Sequence, residues 1–457
     1  MPGWSDGMML RSAGQRGAAL AYVLALLALI SFLVGMTWRM IRADNAITAR
    51  DRGDSQARLI AFAGIDYALS RIGPPGPHQD LGYATDGLEY RLDDSGRVFR
   101  LNVRTRGLFA RAVSVGVSPV PPPGLEREKA GLIGQTLELS RLPVLGLLNH
   151  EGNMVLAGSA QVTGPVMLWR GDVRKATDYH LRYTGGGHAG PLWDSTSQAW
   201  KRSEVVLARA YAWIDAQGRM LEGKDFTGDG DYDSGTVIDL RLPDSALLAD
   251  TLIEGARITA GVLRIGAGAR LKDCKIAARR ILIQEGSRLE RVIAFSQGNL
   301  EVTGGDIQAG QFLAVDSVRI ACERPFAGYP FFFAQGRMAR RGRPDSAMVG
   351  ALLVEKASGD GVFFSACRDH ALYDQEVRLS LGKGARLTGL AYTPCYARAE
   401  GELQGSLICH NLKFEYSGTI WLGHLKDARL ATAPGARIPV PLLFSGFAPA
   451  ALESQGI

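Results

Sequence analysis

Asp225, Asp229, Asp231 and Asp233 lie in the run Asp225-Phe226-Thr227-Gly228-Asp229-Gly230-Asp231-Tyr232-Asp233, with oxygen ligands at alternate positions and a glycine at the sixth. Calcium takes about six to eight oxygen ligands, and this pattern imitates the start of a calcium-binding loop. The twelfth position is Thr236, where such a loop carries a bidentate carboxylate. Two readings follow. The run is an acidic turn between strands, or the four aspartates share one structural calcium ion that pins a loop. No other cofactor is expected.

The remaining reactive side chains do not assemble into a catalytic set. The five cysteines (Cys274, Cys322, Cys367, Cys395, Cys409) form no CxxC pair, and their odd count leaves at least one thiol unbridged. His180 and His188 flank Thr184-Gly185-Gly186-Gly187, which reads as a flexible turn. No Ser-His-Asp set, HExxH or P-loop occurs. Arg264, Arg270, Lys272, Arg288 and Arg291 alternate with apolar residues, as solvated outward positions do. A polysaccharide lyase or hydrolase gathers such groups on one face, so an enzyme ranks third among the readings and a non-catalytic role is expected. The net charge of +6, from 52 basic and 46 acidic residues, is too diffuse for nucleic acid. It leaves attraction to acidic glycans or anionic headgroups.

Phe326, Tyr329, Phe331, Phe332 and Phe333 crowd together, with Arg337, Arg340, Arg341 and Arg343 after them. The aromatics either cover a face of the fold or, with the arginines, form a partner-binding patch.

These groups need elements to position them, and the chain begins with an anchor. Residues 18–38 make 21 uncharged positions, and such a helix is about 30 Å long, enough to cross a bilayer. The core is too long for a cleaved secretory signal, and Met36-Thr37-Trp38-Arg39 is a poor cleavage site. Beyond it the chain is free of proline to Ile72, with Ile41, Ile47, Leu59, Ile60, Ala63, Leu69 and Ile72 at roughly helical spacing. Gly73-Pro74-Pro75-Gly76 stops the helix. Alternating runs at 89–92, 98–103 and 110–117 follow, joined by Asp94-Ser95-Gly96 and Arg106-Gly107, which are hairpin signals.

A short basic leader (Arg11, Arg16) ending in Gly17 before the apolar helix resembles the signal of type IV pilins and pseudopilins. In that family a prepilin peptidase cuts after the glycine, which here implies processing between Gly17 and Ala18. The segment Ala61-Phe62-Ala63-Gly64-Ile65-Asp66-Tyr67-Ala68-Leu69 is similar to the end of the long first helix in PilX-type minor pilins and K-type minor pseudopilins of type II secretion. The resemblance implies a long helix packed on a small antiparallel sheet over residues 18–118, with other pilin or pseudopilin subunits as partners. Tyr22 stands at the fifth mature position, where major pilins carry glutamate, which points to a minor or tip component. Arg39, Arg42, Arg50, Arg52 and Arg58 follow the span while only two arginines precede it, so arginine counting favours a cytoplasmic C-terminus. Large domains translocate regardless of that bias, and a periplasmic or extracellular placement is retained.

Pro119-Val120-Pro121-Pro122-Pro123-Gly124 opens a Pro-rich linker over residues 119–143. An eighteen-residue period then emerges: Leu263, Ile265, Gly268 and Leu271 recur as Ile281, Ile283, Gly286 and Leu289. Cys274 and Ile276 recur as Val292 and Ala294, and Leu300 and Val302 as Val318 and Ile320. Leu247, Ile253, Ala256 and Ile258 extend the series backwards, and Gly304 and Ile307 forwards. Such a period in β-type residues predicts a β-helix of three short strands per coil, with glycine at a corner and Cys274 inward. The fold class is thus mainly β, with a β-helix over residues 144–430 whose first coils occupy residues 144–171. An insertion at about 321–345 interrupts it, Leu379 to Leu387 resume it, another coil lies at 403–412, and 431–457 is a tail. Parts of this region also resemble long pilin-like membrane proteins of the Bacteroidetes type. The expected function is a membrane-anchored head for filament-tip assembly, adhesion or secretion. The alternative is a permanently anchored scaffold or glycan-binding protein.

Overall fold

The computed structural model describes residues 9–71, 85–92, 97–106, 109–119, 125–148, 153–168, 170–178, 181–194, 238–335, 352–366, 377–440 and 449–452. Strands take up 60% of them. The chain divides into two compact units. The first comprises the chain up to Gly64 with residues 87–101 and 114–129, and the second holds the rest.

The helix α1 spans Met9–Arg71, 63 residues without a proline, and is about 95 Å long. The portion Leu20–Ala68 contains a window of mean hydropathy 2.4 with none of it buried, so this helix is long and apolar enough to cross a membrane. In the first unit its outer half packs through small residues. Gly53, Ala57, Ala61 and Gly64 are buried with Ile60, whereas Ile41, Ile47 and Leu59 are exposed. Of the apolar residues whose spacing predicts the helix, Ile60 lies in the packed face and Ile41, Ile47 and Leu59 lie off it. Small side chains win because they let the helix approach a sheet backbone closely.

Four strands follow: β1 (Thr85–Arg91), β2 (Val98–Arg106), β3 (Phe109–Ser118) and β4 (Leu125–Glu138). They hydrogen-bond in that order, and β4 also pairs with Arg437–Val440 and Pro449–Leu452, giving a small antiparallel sheet. The hairpin runs fall where alternation placed them. The linker does not: most of it is the strand β4. The supposed tail, 431–457, supplies two of β4's partners. Neither pairing is visible locally, since about 300 residues separate the strands.

The second unit is dominated by parallel ladders. One passes through Asp239, Arg257, Lys275, Ile293 and Gln311, stepping eighteen residues each time. It continues through Phe331, Val362 and Leu390 to Ser406. Leu407 then pairs with Leu145, Leu145 with Val166, and Val166 with Leu192. At about 4.8 Å per step the ladder is roughly 50 Å long. A second ladder joins Ala246, Leu263, Ile281, Leu300, Val318, Leu352 and Leu379. A third joins Ile253, Leu271, Leu289 and Ile307. Seven of the chain's strands also close into a barrel.

Alternation sends every second side chain into the interior, where Leu263, Ile265, Ile281, Ile283, Leu300 and Val302 are fully buried. Phe312, Phe332 and Phe363 stack in a column there, with centroids 5.1 and 5.4 Å apart. Two corners repeat with left-handed backbone. Gly268 and Gly286 form one, and Asp273 (φ 53), Arg291 (φ 54) and Ala309 (φ 45) the other. At the next turn of the glycine corner the positive φ belongs to Gly305 rather than to the expected Gly304.

Three sequence expectations need correction. Leu247 pairs with Arg264, a seventeen-residue step, and is 62% exposed, while Ala246 takes the inward place. A slip of one residue exchanges the faces. The insertion does not begin at Ala321: Ser317–Phe326 and Phe331–Ala334 are strands of the stack. The step from Phe331 to Val362 is 31 residues, so the extra chain lies between Ala334 and Leu352, mostly outside the described residues. Residues 144–171 are not the first coils. Leu145–Leu147 pairs with Glu402–Tyr416, so this part of the chain stacks beyond the C-terminal strands.

Candidate functional surfaces

The processing pair Gly17 and Ala18 lies inside α1, which runs unbroken from Met9. The aspartates of the calcium motif, Asp225, Asp229, Asp231 and Asp233, lie outside the described residues, as do His180, Cys367 and the arginines from Arg337 to Arg343. Among the described residues no group of three or more His, Cys, Asp or Glu side chains converges as a metal site.

The cations along the stack are used by neighbours. Lys272 meets Glu254 at 2.7 Å, and Arg280 meets Glu301 at 2.6 Å. Arg288 lies 3.7 Å from Asp306, and Arg319 meets Glu355 at 3.0 Å. The carboxylate of Glu254 holds the Lys272 ammonium above its ordinary value. These pairs join successive turns along the outside of the stack.

Cys274, Cys322, Cys395 and Cys409 are unbridged and buried. Desolvation raises the thiols of Cys274, Cys322 and Cys409 above the usual range, which keeps them protonated and unreactive. Cys274 faces inward, as its place in the period suggested. The glycine loop beside His188 is packed, not loose. A Cβ on Gly185 would collide with backbone of Ser159 and Ala160, and Thr184 N–H donates to Gly158 O at 2.7 Å. His188 Nε2 lies 3.1 Å from Gly164 O.

The aromatic cluster divides by face. Phe326 and Phe332 point into the stack. Phe331 and Phe333 point outward with Phe295, Phe364 and Tyr392, but Phe109, Leu137, Leu139, Leu142 and Ile438 cover them. Phe331 and Phe364 are 5.3 Å apart, and Phe364 and Tyr392 5.1 Å. The phenylalanines are therefore no partner patch; they are a buried outer seam.

A second group of aromatics lies near the C-terminal end of the ladders. The hairpin of Glu402–Tyr416 and Thr419–Leu422 opposes Phe414 to Trp421 and Tyr416 to Thr419. Lys426 Nζ sits 4.7 Å from the Phe414 ring and 4.0 Å from Tyr416, and His424 packs on Trp421 at 5.2 Å. On that face Tyr416 is exposed, Trp421 and Lys426 are half-buried and Phe414 is buried, while Ile420 and Leu422 are exposed on the other face of the hairpin. The signal available in the sequence was the aromatic alternation around Ser417-Gly418. Such a surface, flat rings edged by cations, is chemically suited to apolar faces of polar ligands.

Compared with protein-family models, curated proteins and solved structures, the chain matches none.

Proposed function

We propose that this chain is a non-catalytic minor pilin- or pseudopilin-like protein. In this reading α1 holds it in the inner membrane of a prokaryote, and the second unit is a β-helix head outside the cytoplasm. The observation that carries the reading is α1 itself. Its first half is apolar and exposed, as a lipid-embedded or bundle-forming stem requires, while its outer half docks on a small antiparallel sheet through Ala57, Ala61 and Gly64. The eighteen-residue pairing step and the three parallel ladders support the β-helix assignment. The paired cations and protonated thiols support a mechanical role over a catalytic one.

A filament subunit uses the apolar helix twice: it stores the protein in the bilayer, then packs among other stems as the head is carried outward. Prepilin peptidase acts between Gly17 and Ala18, and a calcium ion on Asp225, Asp229, Asp231 and Asp233 is structural. Filaments sheared from cells and probed for this chain by electron microscopy test the role. Label at filament ends is expected. Label confined to the cell envelope overturns it in favour of a permanently anchored scaffold. The exposed Tyr416, with the half-buried Trp421 and Lys426 beside it, favours glycan binding by such a scaffold.

A further inference from the structure

The strand β4 is the route by which the chain leaves the first unit and enters the second. Within the second unit β4 is paired with two strands from the end of the chain. Gln135, Thr136, Leu137 and Glu138 pair antiparallel with Val440, Pro439, Ile438 and Arg437. Leu132, Ile133, Gly134 and Gln135 pair with Leu452, Ala451, Ala450 and Pro449 on the same edge. Its other edge belongs to β3.

The contact is more than backbone. Ile438 is fully buried beside Leu137 and Leu139, over the outer aromatic seam of the ladder. Arg437 meets Glu138 at 3.2 Å, and Leu139 N–H donates to Ala436 O at 3.0 Å. Downstream, Leu145–Leu147 is hydrogen-bonded on both sides, by Glu402–Tyr416 and by Val166–Leu168. Tension along β4 therefore shears several hydrogen bonds at once.

We propose that Arg437–Val440 and Pro449–Leu452 form a C-terminal strap that locks residues 132–138 of β4 into the second unit, so that load along this part of β4 is met by shear of these pairings. The inference is independent of whether the anchor enters a filament. Hydrogen exchange of the full chain in detergent tests it against a variant ending at Ala436 and against Ile438→Asp. In both variants amides 132–138 are expected to exchange at least about tenfold faster, while those at 275–283 keep their protection. Unchanged exchange at 132–138 overturns the strap. Loss of protection throughout the stack in both variants also overturns it, because these strands are then part of the folding core.

Discussion

Arg291 reaches back one turn of the stack to Asp273, eighteen positions earlier, placing Nε 2.9 Å and Nη2 2.7 Å from the two carboxylate oxygens. Both residues occupy the same left-handed corner, at φ 54 and 53. Neither is glycine, so each corner carries a conformational cost that the paired side chains offset. Asp273 is the main cause of the rise in the Arg291 guanidinium's proton affinity.

Arg291→Ala is expected to destabilise the second unit by about 1–2 kcal/mol, because it removes a bidentate, partly buried pair and keeps the strained backbone. Arg291→Gly loses the same pair but relieves the corner, so it should melt higher than the alanine variant. Thermal denaturation of the two variants side by side checks the order. Equal melting points would show that the corner conformation contributes nothing.

The contact between α1 and β3 leaves no room for a side chain at Gly116. A Cβ there would collide with the carbonyl of Ala57 and come within 2.5 Å of the Ala61 nitrogen. At Gly64 the obstacles are side chains, Ser114 and the Phe99 ring, with Cδ2 at 2.8 Å. Gly116→Ala is therefore expected to cost about 2–3 kcal/mol in the first unit and Gly64→Ala less, since side chains can shift and helix backbone cannot. Protease accessibility of residues 51–64 in each variant reads the difference.

Burial raises the Asp360 carboxyl above the ordinary aspartate value, and its charge in turn raises the Tyr329 phenol, whose larger cause is its own burial. A carboxyl with a raised folded-state pKa favours the fold while protonated. That contribution is fully present below the unfolded pKa and is lost as pH rises through the folded one. Asp360→Asn is expected to flatten stability across that window and to raise the melting temperature at neutral pH. A variant with the wild-type pH slope would exclude Asp360 as its source.

Calcium added to the full chain in detergent is expected to raise its melting temperature, and substituting Asp229 and Asp231 by asparagine should abolish the rise. No response to calcium in the parent chain removes the ion and leaves the acidic turn.

Where inward residues and corners recur together, the sequence is readable: Leu263, Ile281 and Leu300 share one ladder because each is an apolar side chain facing the same interior. The period fails where it is not eighteen. The steps from Phe331 to Val362 and from Val362 to Leu390 are 31 and 28 residues, because more chain separates the paired strands there. Residues 145–168 stack at the C-terminal end, and nothing in strands of three or four residues marks that neighbour in the sequence. β4 was hidden for the same reason, its partners lying at the far end of the chain. The outward placement of the cations and the inward Cys274 are legible by alternation, whereas the ion pairs between turns are not. The Tyr416, Trp421 and Lys426 surface is not legible either, because only the hairpin brings those rings together.

The central claim is that the N-terminal helix is a processed pilin-like stem. N-terminal sequencing of the protein recovered from membranes tests it most directly. The account predicts a chain that begins at Ala18, and an intact Met1 would contradict it.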